Sequence, residues 1–275
     1  MTNLLRANFF RLRKNFLFWG TLALNAAFGA AMCVARFQEH RTYGFLVSLD
    51  SVFFGWAMSI GLLLSIFIPL FFGTEYSDGA IRNKMVLGHS RVSIYLANFL
   101  TGFAAALAFN AAYMLASALV GIPLIGWLTA DTGAVLLCTV GAVVMTAAYC
   151  AIFTLITMLL SRKAAAAVMA MTAVLLLFVA AVSVSERLNA PPEIVFYSLS
   201  IDGEPQDHLE PNPLYLEGAA RAAYEFVFDL LPTGQSDQYA NLTFARPGRM
   251  MALSGALTAL FTGVGAAVFR RKDLK

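Results

Sequence analysis

Charged side chains are scarce in this sequence: Asp, Glu, Lys and Arg together make up 13% of its 275 residues, about half the share of an ordinary soluble domain. Cysteine is nearly absent. Cys33, Cys138 and Cys150 all fall in apolar runs with no CxxC or other ligand spacing, so they read as small hydrophobes and say nothing of a redox compartment. Histidine is limited to His40, His89 and His208, with no HExxH arrangement and no cluster, which gives no basis for metal chemistry. No GxxxxGK[ST] occurs, so the chain has no phosphate-cradling loop of its own.

One further absence separates classes of membrane protein. Six long apolar runs, at 16–35, 52–74, 94–120, 134–160, 164–184 and 250–269, contain no Asp, Glu, Lys, Arg or His. Ion-coupled carriers generally keep an ionisable group within the membrane, and intramembrane proteolysis needs paired aspartates or a serine with a histidine. Both classes are disfavoured, and no active-site enzyme is expected.

What the sequence holds in quantity is apolar residues, 59% of the chain at a mean hydropathy of +0.71. A bilayer core about 30 Å thick is crossed by about 20 apolar helical residues, and each of the six runs is that long. The expected fold is therefore all-α and integral to the membrane, a single domain over 1–275 with six transmembrane helices. Too little polar chain remains to cover a soluble core of that size. Small residues at 102–108 and 164–168 permit close helix approach, and Asn25, Asn98 and Asn110 are placed to hydrogen-bond between helices.

Charge sets the expected orientation. With both termini cytoplasmic, the inside segments 1–15, 75–93, 161–163 and 270–275 hold 13 of the 19 Lys and Arg against three acids, while the outside segments hold six bases against 13 acids. Positive charge inside is the usual bias of short loops. The net charge of +3 is then the sum of two opposite surfaces, so it indicates anionic inner-leaflet lipid as a partner and not nucleic acid. Residues 1–15 interleave Leu4, Leu5, Phe9, Phe10 and Leu12 with arginines, as either an amphipathic helix on the inner leaflet or a charged flank of the first span. Twenty apolar residues with no small-x-small cleavage site ahead of a polar mature domain are expected to be an uncleaved anchor and not a signal peptide.

Between the fifth and sixth runs lies a large acidic extracellular loop, 185–249. Ile194 to Tyr197 is β-prone, Asp202-Gly203 reads as a turn, and Asn212-Pro213 signals a helix through about Leu231 with Leu216, Ala220, Ala223, Val227 and Leu230 on its inward face. The outer connection 121–133 reads as a tight turn around Pro123 and Gly126.

The inner segment after the second run is long and organised. Ser77 or Asp78 can cap a short helix with Ile81 and Met85 on one face, Gly88 can end it in the left-handed conformation, and Ser90 can cap the third span. By physics alone such a segment is either a lever bracketed by two spans or a capped connector that keeps them in register. Its residues Glu75-Tyr-Ser-Asp-Gly79, Ile81-Arg-Asn-Lys84, Gly88-His-Ser-Arg91 and Ile94-Tyr95 resemble the coupling segment of bacterial type-2 ABC transporter permeases, the bacitracin and lantibiotic exporter subgroup. The closing Phe269-Arg-Arg-Lys-Asp-Leu-Lys275 and the six-span layout are similar to that family as well.

The resemblance implies a dimerising permease, paired with an identical chain or a second permease, that docks on separate cytoplasmic ABC ATPase subunits. ATP would be bound by that partner and no cofactor by this chain. By position, the docking segment would comprise Glu75 at the membrane edge, Tyr76, Asp78, Gly79 for a tight turn, Ile81, then Arg82, Asn83 and Lys84 facing the ATPase, with Gly88 and Arg91 closing it. The expected activity is export of a peptide, drug or lipid-like substrate across a bacterial plasma membrane. The alternative from another class is a membrane-embedded sensor or scaffold whose outer loop binds a ligand without transport.

Overall fold

The computed structural model describes residues 1–160, 162–201 and 204–272. Helix α1 (Thr2–Lys14) is followed by α2 (Phe16–Tyr43), the short α3 (Asp50–Phe53), α4 (Trp56–Ser77), α5 (Ala80–Val86), α6 (Arg91–Ile125), α7 (Thr132–Leu159) and α8 (Lys163–Leu188). A hairpin of β1 (Glu193–Ile201) and β2 (Glu204–Pro211) follows, then α9 (Gly218–Leu230), α10 (Pro232–Ala240) and α11 (Pro247–Arg271). Six helices are long and apolar enough to cross a membrane: α2, α3 with α4, α6, α7, α8 and α11.

Every one of them outruns the apolar window that marks it. Helix α2 continues eight residues beyond position 35 and takes Arg36, Glu39, His40 and Arg41 into its last turns, ending at Gly44 with φ of 72°. A helix needs only continuous backbone bonding, which polar residues satisfy as well as apolar ones, so an apolar run marks the membrane and not the helix. Helix α6, 35 residues long, passes through Pro123 and ends at Gly126, so the expected tight turn shrinks to 126–131. There Asp50 accepts from the backbone N–H of Thr129 (2.9 Å) and Ala130 (3.3 Å), and Asp131 caps α7.

Burial divides the six helices into inner and outer ones. In their most apolar stretches α4 is 56% buried and α7 50%, against 22% for α2, 22% for α8 and 17% for α11. The core between them is aromatic, built on Trp56, Phe67, Phe71, Phe109, Tyr113, Tyr149 and Phe153. The intramembrane asparagines do link helices: Asn25 donates to the Phe109 carbonyl (2.8 Å) and Asn110 to Thr146 (3.2 Å). Of the small residues opening α8, Ala166 and Ala170 turn inward while Ala164, Ala165 and Val168 stay exposed.

The segment between α8 and α11 forms a strand at the β-prone run and differs from expectation in the start and the face of α9. The hairpin pairs Glu193 with Pro211 through Ile201 with Glu204, with an irregularity at Val195/Tyr197; its Asp202-Gly203 turn lies outside the described residues. Asn212 does not start a helix: its Oδ1 accepts from Leu214 N–H (2.9 Å) and its Nδ2 donates to the Pro191 carbonyl, closing a turn, and α9 begins only at Gly218. The face of α9 is also rotated from the expected one, since Ala220, Ala223 and Val227 are exposed and Phe228 with Asp229 is buried. Ion pairs decide this, because Asp229 and Glu225 meet Arg249 and Arg246 at the start of α11.

Helix α10 was not anticipated. Pro232 at its first position ends α9 and starts α10, which lies almost wholly buried against α4, α7 and α8 although its side chains are polar. Several of those side chains are satisfied: Thr233 donates to the Leu177 carbonyl (2.7 Å), Gln235 to the Met250 carbonyl (3.1 Å), and Ser236 shares a bond with Tyr149 (3.1 Å). Tyr239 lies directly against Gly141 of α7, at a distance that only a residue without Cβ permits.

Candidate functional site

At the end of the bundle that carries residues 75–91, a buried polar network joins four helices. Glu75, on the last turn of α4, has no exposed side-chain surface. Its Oε1 is 2.7 Å from Arg11 Nη1 of α1 and 2.7 Å from Lys84 Nζ of α5, and its Oε2 accepts from Asn98 Nδ2 of α6 at 3.0 Å. Asn8 closes the ring: its Nδ2 donates to Asn98 Oδ1 (2.8 Å) and its Oδ1 accepts from Lys84 (3.0 Å). Arg11 also lies over the ring of Phe71 at 4.3 Å, a cation–π contact. One carboxylate so faces two cations, and burial lowers the Lys84 pKa against the raising pull of Glu75.

A second contact set sits beside it. Tyr76 donates from its hydroxyl to the Met158 carbonyl of α7 (2.6 Å), and Lys272, just past α11, donates to both the same carbonyl (3.0 Å) and the Tyr76 hydroxyl (3.2 Å). Arg91 donates to the Arg270 carbonyl at 3.1 Å and bonds the Lys272 carbonyl too. The tail is thereby drawn across the start of α6. Ile81 anchors α5 in a small apolar cluster with Leu4, Ile94, Tyr95 and Phe269.

The backbone of the segment follows glycine more than side-chain caps. Helix α4 runs on to Ser77, with Asp78 exposed after it, so neither Ser77 nor Asp78 caps α5. Gly79 does that at φ of 67°, a conformation costly for residues with Cβ. Gly88 takes φ of 84° after α5, and Ser90 Oγ accepts from Ser93 N–H at the start of α6, both as the sequence indicates.

The structure therefore sorts the nine candidate residues other than Gly79. Glu75, Tyr76, Ile81, Lys84 and Arg91 turn to the protein; Asp78, Arg82, Asn83 and Gly88 face outward with Val86 and Leu87, which are 82% and 77% exposed. One expectation is corrected. Lys84 points inward, because the enclosed Glu75 carboxylate on the last turn of α4 needs cationic partners within reach. Asn8, Arg11, Asn98 and Lys272 were not foreseen as part of the site. Leu4, Asn8 and Leu12 recur at four-residue steps on the buried face of α1, and a lone Asn in that series was the available signal.

Helix α1 is its own element, separated from α2 by Asn15, whose side chain accepts from Phe18 N–H. It packs on the bundle through Leu4, Asn8 and Leu12 and exposes Phe9 and Phe10, which settles the open choice for residues 1–15 in favour of a separate helix.

At the opposite end, α10, the last turns of α9 and the start of α11 form a second polar region. Arg249 donates to Asp229 (2.7 Å from Nε), Arg246 to Glu225 (2.7 Å), and Gln238 to Asp229 (3.0 Å). Compared with known proteins, the chain matches no family model and no curated sequence.

Proposed function

We propose that the chain is the membrane-spanning subunit of an ATP-driven exporter of the type-2 ABC permease class, with residues 75–91 as its docking segment for a separate ATPase. The observation that carries this reading is the division of that segment into two faces. Its inner face is fastened to α1, α4, α6 and the tail by ion pairs and hydrogen bonds, so a push on α5 moves those helices together. Its outer face leaves Arg82, Asn83, Val86 and Leu87 free. Two exposed apolar residues beside a cation and an amide make a small docking surface of the mixed kind found at protein interfaces.

In this reading both termini and the segment lie on the cytoplasmic side of a bacterial plasma membrane. The hairpin and α9 lie outside, the basic residues of α1 meet anionic lipid, and a second permease subunit, identical or related, completes the pore. ATP is held by the partner ATPase. A sensor reading is favoured by one observation, a cavity at the far end with unpaired carboxylates.

The test is co-purification with an ABC ATPase encoded beside the gene, through a tag on this chain. Wild type should retain the ATPase. Val86→Asp with Leu87→Asp should lose it while the membrane protein stays monodisperse, whereas Glu75→Ala should loosen the fold itself. Wild-type protein that purifies stably without the ATPase overturns the permease reading.

A further inference from the structure

A cavity of about 330 Å³ opens between α4, α8, α9 and α10 at the end opposite residues 75–91, walled by Met58, Phe178, Val182 and Phe228 with Glu186 and Asp237 at its polar side. Nearly all of its wall is hydrocarbon. Met58 and Val182 are exposed on the surfaces of α4 and α8, so the apolar side opens along the flank of the bundle.

The charges around the cavity do not balance. Asp237 also borders the adjoining polar cavity, of about 440 Å³, whose two other carboxylates each have a cation: Glu225 has Arg246 and Arg221, and Asp229 has Arg249. Those three arginines are thereby engaged, and Arg187, next along α8, lies toward the ring of Tyr224. Among the described residues Glu186 and Asp237 have no ion pair, and the Asp237 carboxylate accepts from Asn241 Nδ2 at 2.9 Å. Burial raises the Asp237 pKa. An apolar pocket whose only charges are two uncompensated carboxylates is complementary to a cation with a hydrocarbon body.

We infer, relying on the permease reading for its role as cargo, that this cavity binds a compact lipophilic organic cation, its charge toward Asp237 and Glu186 and its body among Met58, Phe178, Val182 and Phe228. Pocket volumes of this size take one drug-sized molecule and not a long peptide. Phe178 and Phe228 supply ring faces that attract a cation and repel an anion.

The experiment is equilibrium binding of tritiated tetraphenylphosphonium to the full chain in neutral detergent, with triphenylphosphine oxide, a neutral molecule of similar shape, as competitor. Wild type should bind saturably and the neutral competitor should displace little. Asp237→Asn with Glu186→Gln should weaken binding at least tenfold, and Val182→Trp, which blocks the opening without touching charge, should abolish it. Should the double variant elute as aggregate, Asp237→Asn alone and Val182→Trp decide. Absence of saturable binding, equal binding by the carboxamide variant, or full displacement by the oxide overturns the inference. ATPase co-purification is scored separately, so a failed cavity with a retained ATPase leaves the permease reading standing, and binding without any ATPase supports a sensor.

Discussion

The two ends of the bundle solve the same problem in opposite ways. Each brings polar side chains into an apolar protein by tucking a short helix against the long ones, α1 and α5 at one end and α10 at the other. At the residue-75 end Glu75 has three polar partners, and the cations outnumber the acid. At the far end two carboxylates, Glu186 and Asp237, stay outside the ion pairs of the described residues and border open space. A closed network in which every ionic group has a partner transmits displacement from one helix to another. An open, unmatched one leaves room for a ligand to supply the missing charge.

The largest expected effect breaks the closed end. Glu75→Ala leaves Arg11 and Lys84 facing each other with no anion, and removing one partner of a buried pair costs about 3–5 kcal/mol. Thermal unfolding followed by intrinsic fluorescence should show a clear drop in Tm. Adding Lys84→Met should recover part of it, because one uncompensated cation is removed along with its contacts. Equal and additive losses in the two variants would mean that the network is not a coupled unit.

Next in size is Gly141→Val. The phenol of Tyr239 occupies the place of a side chain at Gly141, so the substitution displaces α10, with a packing cost of about 1–3 kcal/mol. Tetraphenylphosphonium binding should fall with it, since α10 carries Asp237. Gly20→Ala, on α2 where no atom lies near, should change neither. A Gly141→Val protein with unchanged Tm and binding would show that α10 is not fixed by this contact.

How much of this contrast could be read from the sequence follows from what each part depends on. The six spans were legible because hydropathy over 20 residues has one physical cause, and the glycines at 79 and 88 mark left-handed backbone that few other residues adopt. The inward turn of Lys84 was not legible. Its partner Glu75 is nine positions away, but whether a cation next to a membrane meets lipid, another protein or a buried acid depends on α1, which reaches the site only through tertiary packing. Helix α10 was missed for a related reason. Its sequence, Pro232 to Ala240, is polar enough for a loop, and its burial depends on Gly141, Tyr149 and the Leu177 carbonyl, each distant along the chain. The rotated face of α9 shows the same limit, since alanines at helical spacing were outweighed by two ion pairs to α11.

Smaller in stability but sharp in function is the outer face of the docking segment. Arg82→Ala removes an exposed side chain that has no ion pair among the described residues, so Tm should move by no more than about 0.5 kcal/mol in equivalent stability, while ATPase retention falls. Reduced stability with intact retention would reverse the assignment of the two faces of α5.

The smallest effect sharpens the open end and turns on sign. Burial raises the Asp237 pKa, so the folded state holds its proton at a pH where the unfolded chain, with an aspartate pKa near 3.9, has lost it. The stability this contributes is present below the unfolded value and is lost as pH rises through the folded one. Asp237→Asn should therefore raise Tm slightly at pH 8, with the gap closing as pH is lowered toward about 4. Glu225 carries the opposite sign: its hydrogen bond and charge contact with Arg246 lower its pKa, so Glu225→Gln should lower Tm at pH 8, and that gap too should close on acidification. The contrast between a carboxylate that waits for a cation and one that already has it predicts opposite signs at the same pH in neighbouring cavities. If both substitutions lower Tm at pH 8, Asp237 is held by a cation in the folded protein, and its cavity is not a vacant cation site.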